Sequence, residues 1–441
     1  MINNWLFKQI DNSPLIVFRM IFGLLIFLES AGAIFTGWVD RTLIAPEFTF
    51  NFIGFDFLQP LPGYGMYVYF ALMACCGLLV MLGYRYKWSM GAFAVLWAGV
   101  YLMQKASYNN HYYLLMLLNV VMFLLPANRY ASLDVKRDPS LKRISMPRWC
   151  AWLIILQVWI VYTYASVAKW YPDWLDLTVA ANLMKTKAHF PVVGDLLQQP
   201  WIHAAIAYTG ILFDLLVVPL LLCKRTRTFA FILSVCFHLF NSFIFHIGIF
   251  PYLSLAFILF FYEPETVRRI FLPRKPAYTA GEVVVPPYRK VMLAVAGVYF
   301  VVQIALPLRH WFIPGDVLWT EEGHRLSWRM MLRTKAGYIR FKIVDKETGE
   351  TFKLNPDTRL SKKQKGIIAT KPDVIWQFVQ RLKEEYAAQG RSVAIYAYMS
   401  GVSVNGGPVA PFIDPDTDLA QEEWYLWKHQ PWILPYKKET D

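Results

Sequence analysis

The stretch WCAWLIILQVWIVYTYASVAK, residues 149–169, decides the architecture. Its first twenty positions carry no charge, and Lys169 closes the run. As one helix they cross roughly 30 Å of hydrocarbon. Comparable runs recur upstream and downstream, and we expect nine spans at about 14–36, 64–84, 88–104, 111–126, 149–168, 202–222, 229–246, 249–262 and 291–307. The fourth and eighth are short, which points to tilt or a re-entrant path. Composition agrees: of 441 residues, 56% are hydrophobic and only 17% charged. A soluble domain carries about a quarter charged residues.

The formal net charge of +13 could suggest a nucleic-acid partner. The basic residues instead occupy short loops between apolar runs, with eighteen in one set of loops and five in the alternate set. That asymmetry is the positive-inside pattern, and it excludes a gathered nucleic-acid face. With nine crossings it puts the N-terminus in the cytoplasm and the C-terminus outside. All five cysteines lie within or at the ends of apolar runs, so no exported disulfide framework is expected. The first apolar run contains Arg19 and Glu29 and shows no cleavable signal pattern.

The expected fold is therefore a polytopic α-helical membrane protein of about 8–9 transmembrane helices over residues 1–307, followed by a non-cytoplasmic α+β domain over 308–441. In the latter, Gly337–Asp345 alternates with a period of two and reads as a strand. Thr351–Leu354 reads as its partner, and Val393–Met399 as a further strand. Residues 373–388 form an amphipathic helix with Asp373 as its N-cap. Two external segments are rich in aromatics. Residues 38–63 carry Phe48, Phe50, Phe52, Phe55 and Phe57, while 171–201 read as an interfacial stretch with Trp170, Tyr171, Trp174, Phe190 and Trp201 at its edges. Either segment suits membrane-edge anchoring or a lipid-level entrance for an apolar substrate.

Several polar groups are costly where they stand. Asn109, Asn110 and His111 gather at the external mouth of the fourth span, and Lys169 ends the fifth at the same face. His238 and Asn241 lie one turn apart in the seventh span; Asp214 lies in the sixth and Arg19 in the first. Each has a plain structural reading. Lysines at helix ends snorkel to headgroups, asparagines cap helices, His238 and Asn241 suit an interhelical hydrogen-bonded pair, and Arg19 could pair with Asp214. No HExxH, paired CxxC or carboxylate cluster is present, so no metal is expected. There is likewise no P-loop, dinucleotide fingerprint or GxSxG elbow.

At these residues the chain resembles the vitamin K-dependent γ-glutamyl carboxylase family, the animal enzyme and its shorter bacterial relatives, within the wider group of horizontally transferred transmembrane domains. The stretches that carry the resemblance are Val17-Phe18-Arg19-Met20-Ile21-Phe22-Gly23, Asn109-Asn110-His111-Tyr112-Tyr113-Leu114 and Ala127-Asn128-Arg129-Tyr130. Further on come Lys169 ahead of Asp173-Trp174, and His238 with Asn241, Gly248, Phe250 and Tyr252. Ser327-Trp328-Arg329-Met330-Met331, Asn355-Pro356 and Asp414-Pro415 continue the match into the outer domain.

The resemblance implies an enzyme that oxygenates reduced vitamin K (phylloquinol or menaquinol) to its epoxide with O2. The strong base so generated removes a γ-proton from a glutamyl side chain, and the carbanion takes CO2. It implies Lys169 as the base that starts the reaction, with Asn110 and His111 beside it. Asn109, Arg19, His238, Asn241, Trp328, Arg333 and Lys335 are the further residues expected to bind substrate. A lysine must be uncharged to act as a base, and burial disfavours its charged form. A water-poor site would also protect reactive species. The implied partners are a Glu-containing peptide and membrane lipid, and the implied location is a bacterial inner membrane with the site on the periplasmic side. Departures fall in the outer segment, where Arg329 replaces the family's aspartate and Arg333 and Lys335 stand where the animal enzyme has His and Arg. Two other functions fit the sequence: a quinol epoxidase without carboxylation, and a non-enzymatic maturation or immunity factor for a secreted peptide.

Overall fold

The computed structural model describes residues 2–436. Each of the nine expected runs is helical. They are α1 Ser13–Phe35, α2 Gly65–Leu82, α3 Tyr86–Met103, α4 Asn110–Leu124, α5 Trp149–Val167, α6 Pro200–Leu222, α7 Arg227–Phe245, α8 Phe250–Phe257 and α9 Arg289–Leu308. Six of these (α1, α2, α5, α6, α7 and α9, the last with its following turn) are long and apolar enough to cross a membrane. Helix α4, and α8 with the turn that extends it to Phe260, are the shorter apolar pair. Local chemistry sets several starts: Pro14 and Pro200 occupy first turns, where a missing N–H costs nothing.

Helices α1 and α2 touch backbone to backbone. A Cβ placed on Gly23 would lie 2.3 Å from the amide nitrogen of Met81, and one on Gly77 would lie 2.7 Å from that of Phe27. Small residues permit this approach between helices in lipid. At the end of the bundle carrying the basic loops, Arg19 donates to the carbonyls of Ala127 (3.2 Å) and Ala131 (2.6 Å). The Asp11 carboxylate receives Lys275 at 2.6 Å. The Asp134 carboxylate accepts the N–H groups of Arg85 and Tyr86.

The outer domain is built on an antiparallel sheet of β1 Lys335–Asp345, β2 Thr351–Leu354, β3 Val393–Val404 and β4 Ala410–Pro411, in the order β2-β1-β3-β4. β1 starts two residues before the expected strand, and β3 runs five residues past it. Ile339, Phe341 and Ile343 point into the core at a period of two. Helices α10 Lys362–Ile368 and α11 Pro372–Ala388 complete the domain. Asp373 is not the N-cap of α11; that position is Lys371, with no side-chain cap bond. The Asp373 carboxylate turns instead to Lys105 at 2.7 Å and to Arg325. Two cations outbid free amide hydrogens for a buried carboxylate.

The first external segment also differs from expectation. Phe48 and Phe50 belong to the core of the outer domain, packed with Trp319, Phe341 and Phe378, while Phe57 remains exposed. Residues 171–201 contain the short helices Pro172–Leu175, Thr178–Lys185 and Gly194–Leu197. They are tied to the outer domain, since Asn182 donates to the Asn405 carbonyl and Asn405 donates to Asp173, each at 2.8 Å. Trp174 is buried over α6, leaving Trp170 and Trp201 exposed. In the opposite direction, Trp328 leaves the outer domain and enters the core of the helical bundle, fully buried and stacked on Tyr113 at 4.8 Å.

Candidate active site

Between the bundle and the outer domain lies a cavity of about 890 Å³. Its bundle wall is aromatic, formed by Trp38, Phe70, Trp97, Tyr101 and Phe250. Its floor carries Glu29, Asn109, Asn110, His111 and Tyr112, and its roof Glu321, His324, Arg325, Arg329, Arg333 and Lys371. An apolar wall with a few convergent polar groups is the usual character of a small-molecule site.

The start of α4 builds the floor. Asn109 is the helix cap: its Oδ1 accepts the Tyr112 N–H at 2.7 Å, and the residue also lines the cavity. Asn110 is 6% exposed. Its Nδ2 donates to the Arg329 carbonyl at 2.9 Å, and its Oδ1 accepts from the Tyr108 hydroxyl at 2.9 Å. It therefore fastens the floor to the roof. His111 stacks on Phe250 with ring centroids 3.9 Å apart. Glu29, from α1, accepts the Tyr112 hydroxyl at 2.8 Å.

The roof is the segment 321–333. Leu326, Trp328 and Met331 hold φ values of +59°, +57° and +52°, a left-handed conformation costly for branched and bulky side chains. Such strain persists only where surrounding structure enforces it, and the buried Trp328 supplies that enforcement. Trp328 is thus an anchor in the bundle core, not a cavity residue. Arg333, Lys335 and Lys371 converge on the Glu321 carboxylate, Lys371 at 2.6 Å and Lys335 at 3.3 Å. Burial opposes ionisation there, yet Arg333, Lys371 and Lys335 together hold Glu321 well below the usual carboxylate range. Burial in turn brings Lys371 down to about 7 and Lys335 to about 8, against the pull of Glu321. Lys335 also donates to the Trp319 carbonyl at 2.6 Å and lies behind the roof rather than on it.

Lys169 stands apart from this cavity. It is 6% exposed, and its Nζ meets Asp214 Oδ2 at 2.5 Å and the Ala165 carbonyl at 2.9 Å. The face of Trp174 lies 5.6 Å away. The amine is sheltered, as the sequence leads one to expect, but it is paired with a carboxylate rather than with Asn110 or His111. Two turns back on the same face of α5, Tyr162 bonds His238 Nε2 at 2.9 Å, and His238 lies within electrostatic range of His111. The Nδ1 of His238 is buried without a partner. His238 also lies edge-on to Phe250 of the cavity wall, with ring centroids 6.3 Å apart.

Two further expected residues fall elsewhere. Arg19 sits at the opposite end of the bundle, where backbone carbonyls, not Asp214, satisfy its guanidinium. Asn241 is half-buried one turn past His238, does not line the cavity and makes no side-chain bond with His238. Sequence reasoning passed over Glu29, Tyr162, Glu321 and Lys371 as site residues. Glu29 was the legible one, a carboxylate inside an apolar run; Tyr162 has only its two-turn spacing from Lys169.

Residues 7–265, more than half of the chain, match the HTTM domain, and residues 288–439 match the vitamin K-dependent gamma-carboxylase, lumenal domain. No solved structure matches the chain. A helical membrane bundle carrying the first signature and an α+β domain carrying the second, in that order, make this chain a member of the vitamin K-dependent γ-carboxylase family.

Proposed function

We propose that the chain is a nine-crossing membrane enzyme, cytoplasmic at its N-terminus, that oxygenates reduced vitamin K and couples this to carboxylation of a glutamyl side chain. The observation that carries the reading is the two-faced cavity, with an aromatic wall in the helical bundle and a cationic roof from the outer domain. The quinol supplies the redox chemistry with O2. The residues present fit it: the volume and flat aromatic walls accommodate a fused-ring ligand, and Glu29, Asn110 and His111 offer polar groups to its rim.

Lys169 is the base in this reading, as the family resemblance implies. Transfer of the proton from Nζ to Asp214 leaves a neutral amine without changing the net charge of the bundle. Tyr162 and His238 then offer a path for the proton between the pair and the cavity. Arg333 and Lys371 hold the substrate carboxylate in the roof, with Lys335 supporting them through Glu321. The bundle helices exclude water around the reacting groups.

The test uses the full chain in detergent with vitamin K hydroquinone, labelled bicarbonate and a Glu-containing peptide. Epoxide and peptide-bound label are expected, both lost in Lys169→Ala; epoxide formation unaffected by that change removes Lys169 from the chemistry. A second reading, epoxidation alone, draws support from Glu321, whose carboxylate already occupies the cationic roof. Epoxide without label across a broad set of peptides selects it.

A further inference from the structure

Five cations line the main cavity: Lys105, Arg325, Arg329, Arg333 and Lys371. Four of them pair with carboxylates, Lys105 and Arg325 with Asp373, Arg333 and Lys371 with Glu321. Among the described residues, Arg329 has no carboxylate within 4.0 Å. Its guanidinium makes one side-chain contact, from Nη1 to His310 Nε2 at 3.3 Å, while its buried Nε has no partner. His310 is itself fixed, with Nδ1 donating to the Pro307 carbonyl at 2.8 Å, which leaves Nε2 as the acceptor for Arg329.

Arg329 also forms the wall between two spaces. Besides the main cavity it lines a second one, of about 790 Å³, between the C-terminal ends of α5 and α9. That second cavity is bounded by Trp170 and Trp311, which are 60% and 66% exposed, so it reaches the surface. A partly buried guanidinium without a direct ion pair is costly. Asp316, which lines the second cavity, and Glu321 act on it only from beyond ion-pair distance, so its planar fork with free donors still suits a carboxylate better than any neutral group.

We propose that Arg329 determines specificity for a doubly acidic substrate, taking a second carboxylate while the reacting glutamyl group sits under Arg333 and Lys371. The inference rests on the glutamyl reading of the main cavity. The second carboxylate is either a neighbouring acidic side chain or the free C-terminus of the peptide. A peptide reaching in through the smaller cavity passes Arg329 before it meets Arg333 and Lys371. Both sources present the same anion at the same place, so the probes must separate them.

Three short peptides, each with an acetylated N-terminus, make the test on full-length protein in detergent without quinol. The first has one Glu and an amidated C-terminus; the second adds an adjacent Glu; the third keeps one Glu but has a free C-terminal carboxylate. The wild type is expected to bind the second, the third or both about tenfold tighter than the first. Arg329→Gln is expected to bind all three alike, and Arg329→Lys to recover part of the gain. Equal binding of all three by the wild type, or a gain that persists in Arg329→Gln, overturns the proposal. Should Arg329→Gln fail to fold, a full gain in Arg329→Lys does the same, because a lysine cannot reproduce the fork. If the wild type binds not even the first peptide, the glutamyl site itself is lost, and the inference with it.

Discussion

Lys169 and Asp214 sit 2.5 Å apart with both side chains almost sealed from water, and removing either alone strands the other. Lys169→Met or Asp214→Leu singly is expected to destabilise by about 3–5 kcal/mol, whereas the double variant returns close to wild-type stability. Thermal unfolding in detergent reads this directly. The double variant should still form no epoxide, which separates the structural role of the pair from its chemical one. A second residue-scale expectation concerns Lys371, brought down to about 7 by burial. Protonated Lys371 attracts a substrate carboxylate and the neutral amine does not. Peptide affinity should therefore hold below pH 7 and decline as pH rises through it, while Glu321 stays ionised throughout. Binding measured from pH 6 to 8.5 checks the slope, and Lys371→Arg should flatten it. Lys169, Asn110 and His111 were legible in the sequence because polar groups at the ends of apolar runs are conspicuous. Their partners were not: Asp214 lies 45 residues from Lys169, and Arg329 lies 219 from Asn110.

Among the elements, the α1–α2 contact offers the sharpest test. Gly77→Ala puts a Cβ within 2.7 Å of a backbone nitrogen and is expected to cost about 1–3 kcal/mol through forced separation of the helices. Gly32→Ala, on the same α1 but facing open space, should be neutral or slightly stabilising. Denaturation midpoints of the two variants decide it. The helices were readable because lipid demands long uninterrupted apolar runs. The alternating strand β1 was readable because one of its faces is buried. The cap of α11 was misread because an Asp before an apolar run signals an N-cap only when nothing stronger competes for its carboxylate, and Lys105 comes from a loop 268 residues away. Residues 38–63 misled similarly, since an aromatic run looks alike whether it faces headgroups or another domain's core.

For the whole molecule, each half surrenders aromatic side chains to the other: Trp328 to the bundle, Phe48 and Phe50 to the outer domain. Trp328→Ala is expected to cost about 3–5 kcal/mol. Because the same side chain enforces the strained segment 326–331, it should also release the roof, seen as faster amide exchange across 321–333. Calorimetry of the wild type should give one cooperative transition, since neither half keeps its core when the other melts. The overall plan, a helical part followed by an α+β region, was plain from where the apolar runs stop. This cross-embedding was not, since it joins residues that no periodicity connects.

The exchange of aromatics makes the two halves poor building blocks. A chimera carrying residues 1–307 and an unrelated outer domain would keep every helix yet leave a hole beside Tyr113 and two bare phenylalanine rings above it. Recombination can swap such a pair only together, so new substrate preferences in this architecture must come from single changes along the roof rather than from trading whole domains.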